Sequence, residues 1–410
     1  MTDTVIEKPT ASAAGAGMQQ QPAQSAAAPK RANSSSQDAS QMQVKSSAQM
    51  GDPLALLTRL IQYAVAENAS DIHIRVKNHP VVRIDGTLQA AEKFPVMSVS
   101  DLEALAQKIM SPRQWDIFQN KYQVDLSVGI KGIGRVRTNC YYQRGTIAMA
   151  FRVIRTDIPG IEELGLPESV LDYANYERGL ILLTGATGSG KSSTIASLID
   201  QINHKHARHV ITIEDPIEFL FKEDRSIISQ RELGMDAVSF LDAMTAALRE
   251  DPDVILLGEM RDPDTIQTAL TAAETGHLVF STVHSPAAAE TITRIVATFS
   301  PEAQPTIRAK LSQNLRAVVS QRLLPTASGK GRALACEIMN VSSRVRELIL
   351  DPLKVEELAD LVKKGEVVEG MLSFDQHLFQ LCKQGIISEE VALQHASSTT
   401  DLKLKLEGFV

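Results

Sequence analysis

Cysteine is scarce in this chain: Cys140, Cys336 and Cys382 are its only three in 410 residues, and they lie far apart. That spacing argues against a disulfide framework and a four-cysteine zinc site, and it fits a reducing compartment. Long hydrophobic runs are missing as well. No stretch of about 18 apolar residues occurs, and no basic-then-apolar pattern opens the sequence, so neither a membrane span nor a secretory leader is expected. Positive charge is not in excess. The 42 Lys and Arg face 49 Asp and Glu, a net charge of −7, which leaves no global basic field to recruit nucleic acid as a main partner. Residues 1–50 contain no aromatic side chain and are rich in Ala, Ser and Gln. Such a segment buries too little apolar surface to offset its ordering entropy, and it reads as a flexible tail.

The whole chain is 43% apolar, enough for two or three domains with their own cores. Order is expected to begin at Asp52-Pro53, an N-cap carboxylate and a first-turn proline ahead of Leu54, Leu57, Ile61 and Val65 at helical spacing. Alternating Ile72, Ile74 and Val76 follow, then Val81–Ile84 before the turn pair Asp85-Gly86. Leu102, Leu105 and Ile109 mark another helix, and residues 125–154 alternate like antiparallel strands, so this part is a small α+β domain. From about Gly165 the pattern changes to short apolar runs separated by helical segments: Leu180–Leu183, Val210–Ile213, Val254–Leu257 and Leu278–Phe280. That spacing predicts an α/β sheet with crossover helices and a working face at the strands' carboxyl ends. Past Asp351 the sequence reads as helices, including Glu356–Lys363 and Glu389–His395.

Gly185-Ala186-Thr187-Gly188-Ser189-Gly190-Lys191-Ser192, followed by Ser193, completes a phosphate loop between the first of these runs and a helical segment carrying Ile195, Leu198, Ile199 and Ile202. Glycines let backbone N–H groups turn around phosphate oxygens, Lys191 neutralises the β/γ-phosphates, and the Ser192 hydroxyl suits Mg²⁺. A nucleoside triphosphate and Mg²⁺ are therefore the expected ligands, and the resemblance given below makes the nucleotide ATP. Two acidic clusters, Glu214-Asp215-Pro216-Ile217-Glu218 and Gly258-Glu259-Met260-Arg261-Asp262, follow later strands. Hydrolysis needs a placed metal and an oriented water, which carboxylates supply. Gly258 stands where many such enzymes carry Asp, leaving Glu259 as the metal-side acid. His204, His206 and His209 fall near the end of the helix after the loop, where cations are favourable, and carry no metal expectation.

Ile213–Phe219 resembles the aspartate box of secretion and pilus ATPases, Leu248–Asp262 their Walker B region, and Thr275–His284 their histidine box. With the phosphate loop these make four motifs in order, and the resemblance to pilus retraction ATPases runs over roughly residues 52–400. It implies a PAS-like domain at 51–160, a RecA-like P-loop NTPase domain at 161–350 and helices at 351–410. It implies further that Glu214 polarises water, that Glu259 stabilises Mg²⁺, and that His277 and His284 report the γ-phosphate; two satisfied histidines around a strand are the alternative. Asp215 and Glu218 stay open between direct chemistry and capping or solvated charge. Arg137 and Arg152 match arginines sent into a neighbouring subunit's site, Arg144 less well, and Arg261 supports the Walker B turn or forms a surface ion pair. The implied protein is a homohexameric motor, cytoplasmic and peripheral at the inner membrane, acting on a platform protein beneath a type IV pilus and working beside a second retraction ATPase. Extension and type II secretion ATPases are the nearest rivals, but they commonly carry a further N-terminal domain and a four-cysteine insertion for which this chain has no room. An accessory, nucleotide-gated subunit is the other rival. Ser343–Asp351 departs from the retraction family's Ala-Ile-Arg-Asn-Leu-Ile-Arg-Glu motif at Arg344, Glu347 and Leu350 while keeping Val345, Arg346, Leu348 and Ile349.

Overall fold

The computed structural model describes residues 52–408 apart from 85, 131–132, 155–156 and 365–369. The expected tail at 1–50 and Asp85 of the expected turn lie outside the described residues. Asp52 caps helix α1 (Pro53–Ala66) by accepting from the Leu54 N–H at 3.3 Å. Leu57 and Ile61 are buried as read, together with Leu56, Leu60 and Ala64, whereas Leu54 and Val65 face outward. The buried stripe is therefore rotated toward positions 56, 60 and 64.

Six strands follow: β1 (Asp71–Arg75), β2 (Val81–Ile84), β3 (Thr87–Ala90), and then, after helices α2 (Val99–Ile109) and α3 (Pro112–Lys121), β4 (Gln123–Ile130), β5 (Gly134–Gln143) and β6 (Thr146–Val153). They form one antiparallel sheet in the order β3-β2-β1-β6-β5-β4. One face buries Ile72, Ile74, Val136, Cys140, Met149 and Phe151 against α1 and α2, and alternation puts Arg137 and Arg152 on the other. Serine caps with reciprocal capping boxes start α2 and α3.

A 3-10 turn at Glu168–Asn175 leads into the second sheet. Its elements are β7 (Gly179–Thr184), α4 (Lys191–Lys205), β8 (His209–Glu214), β9 (Ile227–Glu232), α5 (Phe240–Ala247), β10 (Val254–Leu257), α6 (Pro263–Glu274), β11 (Leu278–Val283), α7 (Ala288–Ala297), α8 (Gln304–Asn314), β12 (Leu315–Pro325) and β13 (Arg332–Asn340). The strand order is β13-β12-β7-β11-β10-β8-β9, parallel except for the β12–β13 pair. All six residues of β7 are buried, as a strand covered on both faces requires. Ile195, Leu198, Ile199 and Ile202 of α4 pack on one face, and apolar residues of α5 to α8 cover the other. This is the RecA-like arrangement, with β11 inserted between the phosphate-loop strand and β10.

Helix α9 (Ser343–Leu350) buries Val345, Leu348 and Ile349 in that second core. Helix α10 (Glu357–Lys364) adds Leu358 and Val362, one residue later in the chain than read. Helices α11 (Phe374–Lys383), α12 (Glu389–His395) and α13 (Thr399–Glu407) build a smaller core against the far ends of β12 and β13. Buried His377 ties α11 to the sheet, its Nδ1 accepting from the Cys336 N–H at 3.0 Å.

Candidate nucleotide-binding and catalytic site

The loop between β7 and α4 closes over a backbone that only glycine tolerates. Gly185 has φ +138°, and a Cβ there would meet Ser189 Oγ at 2.6 Å and collide with the Gln321 carbonyl. Gly190, at φ +95°, precedes α4 without any side-chain cap, so the helix's first N–H groups and its positive end remain for an anion. Lys191 is 8% exposed, and its Nζ donates to the carbonyls of Gly185 at 3.0 Å and Ala186 at 2.9 Å. Burial lowers the Lys191 pKa, while Glu218 and Glu259 act to raise it.

Beside the loop lies a cleft of about 250 Å³. Thr187, Gly188, Lys191 and Ser192 form one wall, and Glu214, Glu218, Glu259, Arg261 and His284 face them from the carboxyl ends of the neighbouring strands. The backbones of Gly185, Ala186, Gly190 and Ser193 belong to the same turn and the first turn of α4, but the hydroxyl of Ser189 is tucked beneath the loop and has no hydrogen-bond partner.

Glu214 ends β8 half-buried. Its Oε1 accepts from Thr212 Oγ1 at 2.7 Å and Gln230 Nε2 at 3.3 Å, and the Glu218 N–H reaches Oε2 at 3.5 Å. Burial pushes its carboxyl up to about 7, against those hydrogen bonds, which favour the charged form. Glu259 follows β10 and is paired with Arg261 at 2.6 Å, while His284 Nε2 stands 3.6 Å from its other oxygen. Gly258 leaves that turn clear, since a Cβ there would come within 3.2 Å of the Ile213 carbonyl and 3.5 Å of Glu214 Cα.

Two sequence readings change. His277 is not part of this cleft. It precedes β11, whose register pairs Leu278 with Gly179 and Val283 with Thr184, so His277 sits at the opposite end of the strands from the phosphate loop, roughly 20 Å away at strand rise. There its Nδ1 lies 2.9 Å from the Ala272 carbonyl and 3.2 Å from Thr275 Oγ1, the satisfied histidine that was the alternative. Glu218, left open between chemistry and solvated charge, accepts from the Ser192 hydroxyl at 2.9 Å. The signal was present in the acidic box, but the path of the loop after Glu214, which returns Glu218 to Ser192, is not written in spacing. Thr212 and Gln230, which hold Glu214, carried no signal of their own.

Arg137 and Arg152 are opposite one another on β5 and β6. Both are exposed and neither lines the cleft of its own chain. Arg152 is held on the exposed face of the sheet by Asp71 of β1 at 2.7 Å, and Arg144 sits at the β5–β6 turn with φ +52°. His204 is in the last turn of α4 beside Asp200 at 3.5 Å, and a hydrogen bond to the Asp200 carbonyl together with that carboxylate raises its pKa, which favours the protonated form that a helix C-terminus also favours.

The type II/IV secretion system protein family matches residues 48–396. The chain is 39% identical over 340 residues to the type IV pilus retraction ATPase PilT of Pseudomonas aeruginosa, covering 83% of this chain and 98% of that protein. It is 37% identical over 349 residues to the type IV pilus ATPase PilU of the same organism, covering 85% and 91%. A crystal structure of the pilus retraction motor PilT with bound ADP superposes with a TM-score of 0.79 at 45% identity, covering 85% of this chain and 98% of that one. By sequence and by fold, this chain belongs to the type II/IV secretion ATPase family and, within it, to the PilT-type pilus retraction ATPases.

Proposed function

We propose that this chain is the subunit of a homohexameric motor that hydrolyses ATP to retract a type IV pilus, returning pilin to the membrane and driving twitching motility. The observation that carries the reading is the convergence of Glu214, Glu218 and Glu259 on Lys191 and Ser192 from two separate strands. In this reading Lys191 exchanges its two loop carbonyls for the β/γ-phosphates. Ser192 and Glu259, the latter through water, would hold Mg²⁺; hydroxyl and carboxylate oxygens are the hard donors it prefers. Among the described residues no group of three or more His, Cys, Asp or Glu could hold a metal ion, which fits a cation taking most of its ligands from phosphate and water. When bound, Mg²⁺ neutralises charge on the phosphates. Glu214, with a pKa near neutral, orients and polarises the attacking water. His284 reads the γ-phosphate beside Glu259.

Arg137 and Arg152 brace the phosphates of a neighbouring subunit as they gain charge, which makes the ring part of the site. The working division is a PAS-like domain at 51–160, the RecA-like domain at 161–350 and C-terminal helices at 351–410. Changes in the angle between the first two would pass around the ring to a platform protein at the cytoplasmic face of the inner membrane. Among the described residues no helix is long and apolar enough to cross a membrane, in keeping with peripheral attachment. Deleting the gene tests the direction of motion: cells should stay piliated and lose retraction, whereas bald cells would mark an extension motor.

One observation favours a second reading, an accessory subunit beside another retraction ATPase. The residues of α9 shared with the retraction motif include the buried Val345, Leu348 and Ile349, while the departures Arg344, Glu347 and Leu350 are solvent-facing. Packing is kept, whereas Arg346 is what remains of the motif on the outward surface. ATP turnover by the purified ring separates the two readings, since an accessory subunit would show little.

A further inference from the structure

Glu232 closes β9, and in the parallel register its partner is Glu214. It is an acid buried to 6% exposure, away from the wall of the cleft. Its carboxylate joins two domains. Oε1 accepts from the hydroxyl of Ser127 on β4 at 3.2 Å, and Oε2 lies 3.7 Å from the guanidinium of Arg135 on β5. The same Oε2 accepts from the N–H of Ile217 at 3.4 Å. Ile217 belongs to the short loop that begins at Glu214 and ends at Glu218, whose side chain holds Ser192.

A buried carboxylate is stable only while its partners stay in place. Glu232 has one set of partners on the small domain and one in the loop that carries the candidate catalytic acid, so displacement of either set weakens the other. Gln114 of α3 adds a second bridge to the same segment, Nε2 to Met235 Sδ at 3.5 Å. Gln230, two residues earlier on β9, is different in kind. It contacts Glu214, the Phe219 carbonyl and the Phe221 N–H, all within the ATPase domain.

We propose that Glu232 is a positioning residue that couples the Glu214–Glu218 loop to the small domain, so that a change in phosphate occupancy is converted into a change of domain angle. The inference rests on the ATPase motor reading and names the side chain that transmits its stroke. Ligand contact at Ser192 would shift Glu218, Ile217 would follow, and the Ser127 and Arg135 strands would be drawn or released through one carboxylate. Gln230 would hold the same loop without reaching the small domain.

The test uses the full chain as its assembled ring. Glu103 on α2 and Gln267 on α6, both exposed, are changed to Cys in a Cys382→Ser background, labelled, and diluted into unlabelled subunits. The label-to-label distance is then measured with ADP and with a non-hydrolysable ATP analogue. The parent ring should show two distances and hydrolyse ATP. Glu232→Gln keeps the shape and an acceptor for Ser127 but loses the charge facing Arg135. It should bind ADP like the parent, lose the distance change, and show a lower kcat with little change in KM. Ser127→Ala should show a weaker version of the same loss. Arg135→Ala combined with Glu232→Gln should be no worse than either alone, because both break one link. Gln230→Ala should retain the distance change while altering the pH dependence of turnover. A Glu232→Gln ring with the parental distance change and kcat would overturn the proposal, as would additive losses in the double variant or a parent ring whose distance ignores the nucleotide. A parent ring that fails to hydrolyse ATP would instead overturn the motor reading itself.

Discussion

The cleft at the carboxyl ends of the parallel strands and the outer face of β5 and β6 both carry groups suited to phosphate chemistry, but the fold treats them differently. In the cleft each side chain is tied to another: Glu214 to Thr212 and Gln230, Ser192 to Glu218, Glu259 to Arg261. On the small domain's face Arg137 is exposed, and Arg152 has 63% of its side chain in solvent despite its bond to Asp71. One region is built by folding. The other is left open to solvent, as the proposed ring requires, since an arginine meant for a neighbour's phosphate must not be satisfied deep within its own chain. An exposed ion pair is worth only about 0–1 kcal/mol, so Asp71 holds Arg152 in place without competing strongly for it.

The largest effect should come from the prebuilt region. Glu214→Gln keeps size and hydrogen bonding but removes the charge, so turnover should fall about 10²–10⁴-fold while ATP still binds by calorimetry. Retention of half the rate would assign the chemistry to Glu218 or Glu259. The same variant carries a pH signature. Because burial raises the Glu214 carboxyl from its ordinary 4.5 to about 7, the nucleotide-free protein binds its proton more tightly than the unfolded chain does. That stabilisation is fully present below about pH 4.5 and is lost by about pH 7. Thermal melts of the nucleotide-free protein against pH should show this decline, and Glu214→Gln should flatten it. Turnover should run the other way, with kcat/KM rising as Glu214 ionises toward pH 7.

This contrast also explains what could be read from the sequence. The phosphate loop, β7, β8, β10 and β11 were legible because a strand covered on both faces must be continuously apolar, and a glycine loop has few other uses. The small domain's alternation was legible for the complementary reason, one buried face and one wet. Strand β12 was not read, because Ser320, Gln321 and Arg322 interrupt its apolar run. Ser320 and Gln321 are nevertheless buried, the Ser320 hydroxyl 2.7 Å from that of Thr184 and the Gln321 amide nitrogen donating to Thr194 at 2.7 Å, partners that only the folded sheet supplies. His277 and His284 lie in one histidine box, yet one strand length separates them, and a motif does not say which end of a strand faces the ligand. Glu232 gave no sign in the sequence, because its partners are 105 and 97 residues away on another domain.

If the exposed arginines complete a neighbour's cleft, activity lost in two kinds of subunit should return when they are mixed. Lys191→Ala removes the phosphate cation, and Arg137→Ala with Arg152→Ala removes the exposed pair; rings of either variant alone should be nearly inactive. Mixed rings, verified by native mass measurement, should regain turnover at interfaces where an intact loop meets intact arginines. No recovery would mean that the arginines act within their own subunit or that several intact neighbouring sites are required. Titration with unsubstituted subunits separates these two, and a strictly proportional loss would remove the distinction between a prebuilt and a shared half of the site.

The smallest effect should come from Asp71. Partial burial works to raise its pKa, but hydrogen bonds from Ser70 and Arg152 and the charge of Arg152 outweigh it, and the carboxyl is held below its ordinary value. The stability it contributes is therefore present above about pH 3.8 and lost as pH falls further. Near neutral pH it holds a long, largely exposed side chain on the outer face of the sheet. Arginine carries about 2 kcal/mol of rotamer entropy, part of which Asp71 removes within its own chain. Asp71→Ala should accordingly leave nucleotide affinity and ring assembly intact and lower turnover by no more than about fivefold, the equivalent of one exposed ion pair. The loss should disappear in a background that already carries Arg152→Ala, because the remaining partners of Asp71, Ser70 and the more distant Arg83 at 3.9 Å, carry no proposed role in turnover. Asp71→Ala lowering turnover as much in that background as alone would show that it acts through the fold of β1, and Arg152 would then need no support from its own chain.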